Sequence, residues 1–404
     1  MKVKRFLGVA VGFCLVLSMS VSAKTITADE DLKDIDRPME SVTVSAAPGT
    51  DLGIKAKSVV LMEQYTKDVL YEQNPDEKLR PASITKIMSL LLIMEAIERK
   101  AFTPEEVVTA SEHAASMGGS QIWLEPGEAM TVDDLLKATV VGSANDATVA
   151  LAEKVSGSEE AFVTKMNEKA KELGMNNTTF KNCTGLDEDG HLTTAYDVAI
   201  MSSELLKYPL IKKYSTLWMD SVRNGESELV NTNKLVRFYE GTTGLKTGTT
   251  SGAKSCVSAS AKRGDTELIA VVMGADTSKD RFEGAKKMLD FGFSNYSLFE
   301  ISPKHKKEEL TVNVKGGTEK TVTGEIKGNI RKVGKNSEKG EITDKIIMKS
   351  NISAPVKRGD EIGVAEIYIG KEKVGELPVT AQNEVKKTGF LMTFYWIIGG
   401  LFKL

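Results

Sequence analysis

The residues of this chain that could do chemistry form three short motifs in a fixed order. They are Ser83-Ile84-Thr85-Lys86, Ser143-Ala144-Asn145 and Lys246-Thr247-Gly248. A serine hydroxyl is a weak nucleophile until a nearby base takes its proton, and side chains at positions i and i+3 of a helix share one face. Lys86 is therefore expected to reach the Ser83 oxygen and act as its base. Each motif alone is common by chance, whereas the ordered triple is specific for an acyl-transfer site.

The sequence around Ser83 predicts a buried helix that begins near the serine. Pro81 is a typical first residue of a helix, and the run at 87–94 is almost wholly apolar. Unpaired N–H groups and a partial positive charge at a helix start favour the negative charge that develops on an attacked carbonyl. Burial of Lys86 near Lys246 would lower the pKa of its ammonium group, so that a neutral amine could act as general base.

The second motif follows a predicted helix at residues 133–141. Ser143 is expected to pass the proton onward to the leaving group. Asn145 is expected to hydrogen-bond both Lys86 and the substrate amide, because a carboxamide offers a donor and an acceptor. In this interpretation Ser143 carries the proton toward the leaving group, and Asn145 holds the lysine and the substrate in place.

The third motif is predicted to begin a strand, next to the clear β-strand at residues 268–274. Gly248 would let an extended substrate lie close to the backbone, and Lys246 would supply positive charge. The amide of Thr249 and that of the motif serine are expected to form an oxyanion hole. The side chains of Thr247 and Thr249 are expected to face a substrate carboxylate.

With these residues the chain resembles the penicillin-binding proteins and serine β-lactamases, whose shared signature is this triple. Within them it is similar to the low-molecular-mass D-alanyl-D-alanine carboxypeptidases. The resemblance covers about residues 51–300 and includes further segments, namely Gly118-Gly119-Ser120-Gln121, Leu124-Glu125-Pro126-Gly127-Glu128, Gly185-Leu186-Asp187, Gly190-His191, Arg281-Phe282 and Leu289-Asp290-Phe291-Gly292-Phe293. Tyr196 departs from the pattern, since some members have arginine in this segment, and the departure bears on fine substrate preference.

The resemblance implies a mixed α/β (α+β) catalytic domain of the β-lactamase/transpeptidase-like fold, with an antiparallel sheet and a helical subdomain. It implies removal of the terminal D-alanine from peptidoglycan stem pentapeptides through an acyl-enzyme at Ser83, without a cofactor. It also implies covalent inhibition by β-lactam antibiotics. Arg281 would help to bind the substrate carboxylate, because the planar guanidinium can pair with it through two hydrogen bonds.

Two other functions share some of these features. A β-lactamase has the same acylation groups and an additional activated water, and residues 172–176 resemble the glutamate-to-asparagine motif that positions this water in class A enzymes. Gly174 is a typical helix stop, which would place Glu172 on the flank of a helix. The second alternative is a non-catalytic, membrane-tethered wall-binding protein, and the intact motifs argue against it.

The two ends of the chain indicate export and attachment to a membrane. Lys2, Lys4 and Arg5 precede an apolar stretch that finishes Val21-Ser22-Ala23, the layout of a signal peptide cleaved after its last alanine. Residues 390–402 are apolar almost throughout but fewer than the roughly 20 that a spanning helix needs. They are predicted to lie in the membrane interface, at the outer face of the cytoplasmic membrane.

Composition divides the chain into five segments. We predict a signal peptide, a linker, a catalytic domain, a small all-β domain and a membrane-anchoring helix, at residues 1–23, 24–50, 51–300, 301–383 and 384–404. The 404 residues carry 53 basic and 56 acidic side chains, and loss of the signal peptide makes the net charge more negative than −3. This charge argues against a nucleic-acid partner, and leaves stem peptides and a membrane surface as partners.

Cysteines and histidines show no metal-binding spacing. Cys183 and Cys256 remain after the signal peptide is lost and are expected to be buried or half-buried thiols, with a disulfide or a redox role as the alternative. His113, His191 and His305 are far apart, so structural or surface roles are expected for each. His191 is predicted to shape the rim of the cleft.

Overall fold

The structure is a computed structural model, and it describes residues 51–301, 307–336, 342–350 and 352–389. The predicted signal peptide and linker, His305 and the apolar segment at 390–404 lie outside these residues. Within the described ranges, no helix combines the length and apolarity needed to cross a membrane.

Strands and helices are mixed along the chain as far as residue 295. In chain order they are β1 (Ser58–Glu63), β2 (Val69–Gln73), α1 (Lys86–Glu98), β3 (Val107–Thr109), α2 (Glu112–Ala115), β4 (Ala129–Thr131), α3 (Val132–Val140), α4 (Asn145–Ser156), α5 (Glu159–Glu172), α6 (Ala195–Leu205), α7 (Pro209–Ser215), β5 (Met219–Val222), β6 (Ser227–Val230), α8 (Leu235–Phe238), β7 (Thr242–Thr250), β8 (Lys254–Arg263), β9 (Thr266–Ala275) and α9 (Ser278–Asn295). Short 3₁₀-helices occur at Ala82–Thr85 and Arg223–Gly225.

The remaining elements are almost all strands. They are β10 (Tyr296–Ile301), a 3₁₀-helix at Lys307–Leu310, β11 (Thr311–Lys315), β12 (Thr321–Ile326), β13 (Ile330–Lys335), β14 (Ile342–Met348), β15 (Ile352–Ser353), β16 (Glu361–Ile369) and β17 (Glu372–Ala381).

A five-stranded antiparallel sheet, in the order β2-β1-β9-β8-β7, forms the centre of the first part. β1 and β9 are buried along their whole length, and they are rich in the branched and aliphatic side chains that suit a sheet covered on both faces. Val60 and Met62 belong to one apolar core, whereas Val59 and Leu61 belong to another. The sheet therefore separates two cores.

Helices cover both faces of this sheet. α9 covers one face with Phe282, Ala285, Met288 and Leu289. The helical subdomain covers the other face around α1, where 10 of the 13 residues are buried. The apolar run at 87–94 predicted such a buried helix, and the antiparallel sheet with a helical subdomain confirms the predicted fold class.

The start of α1 differs from the prediction in local form. Ser83 lies in the 3₁₀-helix, and α-helical geometry begins only at Lys86. Ala82 has a φ of 48°, so the backbone turns sharply just before the serine. Because a 3₁₀-helix has three residues per turn, side chains at i and i+3 lie directly above one another. This geometry aligns Lys86 with Ser83.

Between residues 296 and 389 the described chain consists almost wholly of strands, as predicted. This part has a six-stranded sheet in the order β14-β16-β17-β12-β11-β15 and its own apolar core. β10 follows directly after α9 and pairs with β13, and the Leu298 amide donates to Thr266 Oγ1 at 2.9 Å. These contacts join the β-rich part to the central sheet.

Candidate active site

Ser83 and Lys86 lie within hydrogen-bond distance at the start of the buried helix. Lys86 Nζ is 3.1 Å from Ser83 Oγ, and the lysine side chain has no exposed surface. Burial disfavours the charged ammonium and lowers the pKa of Lys86 to about 7. Near neutral pH a large share of Lys86 is thus the free amine that can accept the serine proton.

Two further oxygen atoms fix the orientation of the Lys86 amine. Asn145 Oδ1 lies 2.6 Å and the Thr184 carbonyl oxygen 2.8 Å from Lys86 Nζ. An amide oxygen and a carbonyl oxygen can only accept, so each takes one N–H of a neutral amine. The nitrogen lone pair is then left to face Ser83 Oγ. This geometry suits a general base, whereas an ion pair with a carboxylate would favour the protonated form of Lys86.

The second motif lies in the short connection between α3 and α4. Ser143 is 5% exposed and has a φ of 61°, and Asn145 is the first residue of α4. Consecutive Cα atoms are 3.8 Å apart, so the Ser143 Cα lies within about 8 Å of the Asn145 Cα. The connection therefore places Ser143 near Asn145, which contacts Lys86, and the role of Ser143 in passing the proton onward stays a prediction.

Asn145 is itself held from three directions. Its Oδ1 accepts from Lys86, its Nδ2 donates to the Gly118 carbonyl at 2.6 Å, and its backbone amide donates to the Ser120 carbonyl at 2.6 Å. Gly119 lies between these two carbonyls, and an added Cβ there would stand 2.8 Å from Asn145 Nδ2. The loop at 118–120 thus forms one wall beside the pair, with the Leu186 side chain next to it.

The third motif lies on β7, the last strand of the central sheet. Gly248 packs against the serine turn, since an added Cβ would stand 2.9 Å from the Pro81 carbonyl oxygen and 2.9 Å from the Ser83 amide nitrogen. Gly248 was expected to leave room for a substrate. In the structure it leaves room for the backbone of the serine turn. The contact also brings the Ser83 amide beside the segment that carries the Thr249 amide.

Two buried basic side chains, Lys246 and Arg281, lie next to the pair. Lys246 is 1% exposed, and its Nζ donates to the Thr247 carbonyl at 3.2 Å. Burial, followed by the charges of Lys86 and Arg281, holds the pKa of Lys246 well below its usual range. Burying positive groups is costly without a counter-ion, so this corner of the cleft suits an anionic group such as a carboxylate.

Arg281 reaches the third motif from α9 through hydrogen bonds within the protein. Its Nη1 donates to Thr249 Oγ1 at 2.7 Å and to the Gly248 carbonyl at 3.2 Å, and its Nη2 donates to Ser278 Oγ at 3.1 Å. The side chain is 1% exposed, and in this arrangement it orients Thr249. Its two-bond pairing with a substrate carboxylate stays a prediction.

The two threonines of β7 differ in exposure. Thr249 is exposed, whereas Thr247 is buried and donates to Thr232 Oγ1 at 2.6 Å. Both were expected to face a substrate carboxylate, and the exposed Thr249 fits that expectation better. Thr232 belongs to no motif, so nothing in the sequence singled it out.

A loop at 182–190 supplies contacts that sequence motifs do not reveal. It provides the Thr184 carbonyl that contacts Lys86, and Asn182 Oδ1 accepts from the amides of Thr184 and Gly185 at 3.3 and 2.7 Å. Asp187 accepts from Thr250 Oγ1 at 2.8 Å and ties the loop to the end of β7. A backbone carbonyl in a loop has no sequence signature, although Gly185-Leu186-Asp187 marked the segment.

His191 lies inside the protein and not at the rim that was predicted. It is 1% exposed, lies 2.9 Å from Thr85 Oγ1 through Nε2, and accepts at Nδ1 from the Lys181 amide at 3.3 Å. Burial lowers the pKa of His191 to about 4, so it is neutral at physiological pH. Its role is to support the residues between Ser83 and Lys86.

Cys183 and Cys256 are both free, buried thiols, which confirms the expectation from their environment in the sequence. Burial raises the pKa of Cys256 to about 11 and raises that of Cys183 as well. Thiols of this kind are poor nucleophiles at neutral pH. His113 is partly exposed, and its Nε2 lies 2.7 Å from Glu159 Oε2 at the surface.

Glu172 does not serve an active site of the β-lactamase kind. It is the last residue of α5, its side chain is 66% exposed, and it pairs with Lys169 at 2.8 Å. Gly174 follows with a φ of 74°, the left-handed conformation of a helix stop. The prediction that Glu172 lies on a helix flank is confirmed.

Comparison with known proteins leads to the same assignment as the site. The family described as D-alanyl-D-alanine carboxypeptidase matches residues 41–277, and that described as penicillin-binding protein 5, C-terminal domain, matches residues 296–387. The D-alanyl-D-alanine carboxypeptidase DacF of Bacillus subtilis (strain 168) is 49% identical over 350 residues, which cover 85% of this chain and 89% of that one.

Two solved structures extend the comparison. Penicillin binding protein 5 from Haemophilus influenzae has a TM-score of 0.73 and 28% identity, over 85% of this chain and 100% of that chain. Penicillin-Binding Protein D2 from Listeria monocytogenes, solved in the ampicillin-bound form, has a TM-score of 0.55 and 30% identity, over 60% of this chain and 100% of that chain. The chain belongs to the D-alanyl-D-alanine carboxypeptidase family of serine peptidases.

Proposed function

We propose that this carboxypeptidase removes the terminal D-alanine from peptidoglycan stem pentapeptides, with Ser83 as nucleophile and Lys86 as general base. The observation that carries the assignment is the set of contacts around Lys86 Nζ. Two oxygen atoms that can only accept hold the amine, and the third contact, at 3.1 Å, is the Ser83 hydroxyl. A pKa of about 7 leaves this amine partly neutral where the enzyme would work.

The reaction would proceed in two halves. Ser83 Oγ attacks the carbonyl carbon of the D-Ala–D-Ala bond while its proton passes to Lys86 Nζ, and the amides of Ser83 and Thr249 stabilise the oxyanion. The C–N bond then breaks, and the leaving amine of D-alanine takes a proton through Ser143. In the second half, water attacks the ester carbonyl and gives its proton back along the same path, which frees Ser83.

The positive corner of the cleft explains why the bond cut would be the last one of the peptide. Only a terminal residue carries a free carboxylate one residue beyond the scissile carbonyl. Burial and neighbouring charges hold the pKa of Lys246 below its usual range, and a carboxylate bound beside it would favour its charged ammonium form. Thr249, oriented by Arg281, supplies a hydroxyl on the exposed face of β7. β7 is an edge strand of its sheet, so an extended peptide could also pair with it through backbone hydrogen bonds.

We propose that β-lactam antibiotics acylate Ser83. The Listeria protein D2 was solved in ampicillin-bound and cefotaxime-bound forms, and its fold is similar to the catalytic part of this chain. A penicillin presents a reactive amide carbonyl and a carboxylate, the same two groups as the peptide terminus. The alternative of rapid β-lactam hydrolysis has little support, because Glu172 faces solvent.

We propose further that the enzyme works outside the cell, at the outer face of the cytoplasmic membrane. Support comes from the sequence alone: the basic and apolar residues 1–23, and the apolar residues 390–402 flanked by lysines. In this scheme residues 24–50 are a linker, residues 51–300 the catalytic domain and residues 301–383 a β-rich spacer between that domain and the anchor at 384–404.

The direct test of the activity measures D-alanine released from a stem pentapeptide. The wild-type enzyme is expected to release it, Ser83→Ala to release none above background, and Ser294→Ala, which alters an exposed serine near the end of α9, to match the wild type. Release by Ser83→Ala at a rate near the wild-type rate would show that another residue is the nucleophile.

A further inference from the structure

Trp123 is an exposed aromatic residue in a costly backbone conformation. Its side chain is 57% exposed, and its φ is 60°. The left-handed region is unfavourable for a bulky residue, and an exposed indole recovers little of this cost through burial. Strained residues of this kind persist only where the surroundings enforce them, and they concentrate at functional sites.

The surroundings of Trp123 enforce its conformation from both sides of the backbone. The fully buried carboxylate of Asp146 accepts from the Ile122 amide at 3.1 Å and from the Leu124 amide at 3.0 Å. Arg223 donates to the Ile122 carbonyl at 2.7 Å and to the Trp123 carbonyl at 3.2 Å.

Arg223 is held in turn by Glu128, through Nε to Oε1 at 2.7 Å and Nη2 to Oε2 at 3.0 Å. A buried carboxylate and a two-bond arginine–carboxylate pair therefore both act on one loop. The result is an indole that is held rigidly in contact with solvent.

Trp123 lies close to the catalytic groups. Asp146 directly follows Asn145, whose Oδ1 contacts Lys86, and the Asp146 carboxylate touches both neighbours of Trp123. With 3.8 Å between consecutive Cα atoms, one short side chain and one hydrogen bond of 3.0 Å to span, the Trp123 Cα lies within about 13 Å of the Asn145 Cα. The exposed segment at 118–120 leads from the cleft wall to this loop.

This limit is compatible with the length of the substrate. Four residues of a stem peptide precede the terminal D-alanine, and an extended chain spans at most about 3.5 Å per residue, or about 14 Å in all. The first residue of the stem is attached to a sugar of the glycan strand. A residue within about 13 Å of Asn145 is thus within reach of that sugar.

We propose that Trp123 is a binding platform for the sugar that carries the stem peptide. A pyranose ring has an apolar face of C–H groups, and the electron-rich face of an indole attracts such groups while the sugar hydroxyls stay in water. This inference rests on the proposed function, because it presupposes a stem peptide acylating Ser83. It assigns the enzyme a preference for peptides that are still attached to glycan.

The test compares a free pentapeptide with the same peptide linked to N-acetylmuramic acid. The wild type is expected to show a KM for the linked peptide that is about three- to tenfold lower, the range that a good aromatic contact gives. Trp123→Asn, which tolerates the left-handed conformation but has no aromatic face, should abolish the difference. Trp123→Tyr should retain most of it. Tyr65→Asn, which alters an exposed aromatic residue elsewhere, should leave the preference intact.

Three results would overturn the inference. Equal KM values for the two substrates in the wild type would show that the sugar is not bound. An equal rise of both KM values in Trp123→Asn would show that the indole contacts the peptide, and a preference unchanged in this variant would place the sugar elsewhere. Calorimetric binding of both ligands to Ser83→Ala repeats the comparison without turnover, so it separates failure of the platform from failure of the proposed activity.

Discussion

Lys86 combines complete burial with hydrogen bonds to three oxygen atoms. Burial alone would leave an inert neutral amine, and an ion pair would hold the proton too firmly. The acceptors Asn145 Oδ1 and Thr184 O instead orient the amine while adding no full negative charge. The serine is therefore activated by geometry as well as by pKa.

The rate of acylation by penicillin is predicted to depend on the protonation of Lys86. The pKa of Lys86 is lowered to about 7, so below that value the amine is protonated and cannot accept the Ser83 proton. The rate should fall about tenfold for each pH unit below 7 and level off above 8. Stopped-flow measurement from pH 5 to 9 checks this.

Lys86→Ala serves as the matched variant in that experiment. Loss of the base is expected to lower acylation by ~10²–10⁴-fold on the plateau above pH 8, and the variant should lose the tenfold-per-unit fall between pH 7 and 5. A wild-type rate that is flat between pH 5 and 7, or a variant that is acylated at nearly the wild-type rate, would show that another group is the base.

Asn182 is predicted to be a positioning residue for Lys86. Asn182→Ala removes the acceptor that holds the Thr184 and Gly185 amides, so the Thr184 carbonyl is freed to leave Lys86 Nζ. We expect acylation to slow about tenfold, the equivalent of 1.4 kcal/mol. Asn182→Asp, which keeps the acceptor oxygen, should recover most of the rate.

Asn167→Ala is a suitable control for Asn182→Ala. Asn167 makes comparable bonds to the amide and carbonyl of Phe180, at 2.9 Å each, in the neighbouring segment. Equal losses of acylation in both variants would mean that the rate follows general loosening of the chain at 180–190, and not the position of one carbonyl.

The sequence predicted the polar groups of the site better than their arrangement. Residues spaced like Ser83 and Lys86 lie on one face of an α-helix or a 3₁₀-helix, so their contact could be predicted from the spacing alone. The contact of Lys86 with the Thr184 carbonyl could not be predicted, because backbone groups carry no residue signature. The hydrogen bond from Arg281 to Thr249 was not predicted either, since the direction of a long side chain depends on tertiary packing.

At the scale of elements, the site depends on three segments that approach each other without room for side chains. Gly185 lies against the turn before Ser83, and an added Cβ would stand 1.8 Å from the Ala82 carbonyl oxygen. Gly248 approaches the same turn from β7, at 2.9 Å. The two glycines therefore set how closely the loop at 182–190 and β7 pack on the serine turn.

Gly185→Ala is predicted to destabilise the protein more than Gly157→Ala. Both glycines have a positive φ, 91° and 82°, so alanine costs about 1 kcal/mol of conformational strain at each position. An added Cβ at Gly157 has nothing within 4 Å, whereas at Gly185 it meets backbone. The overlap should remove about 1–3 kcal/mol more from the free energy of unfolding. Denaturant titration of the two variants measures the difference, and equal losses would contradict the packing explanation.

The types of elements were predictable where the apolar pattern was long. The run at 87–94 predicted the buried helix, and the composition after residue 300 predicted a small all-β domain. The 3₁₀ geometry at Ala82–Thr85 was not predictable, because it depends on contacts with the loop at 182–190 and with β7.

At the scale of the whole molecule, the chemistry and the proposed attachment are separate. Every residue placed in the catalytic mechanism precedes residue 300, and the β-rich part has its own apolar core. A chain ending at Thr388 is therefore predicted to stay soluble and to keep its activity on small peptides.

The full-length mature protein should sediment with membranes and need detergent for its release. Burial of large apolar side chains contributes ~25 cal/mol per Å², which exceeds the screened attraction of Lys386 and Lys387 to lipid. Release of the full-length protein by salt alone, or loss of catalytic-domain stability in the shortened chain, would mean that the apolar segment packs on the protein.

Ser83, activated by Lys86, is the residue on which the proposed acyl-enzyme forms, and every other role assigned to the site depends on it. Time-resolved mass spectrometry of the intact protein with penicillin, followed by peptide mapping, tests this most directly. We expect one adduct per chain that accumulates, maps to Ser83 and is absent in Ser83→Ala. An adduct on another residue, or rapid consumption of the drug with no accumulated adduct, would contradict it.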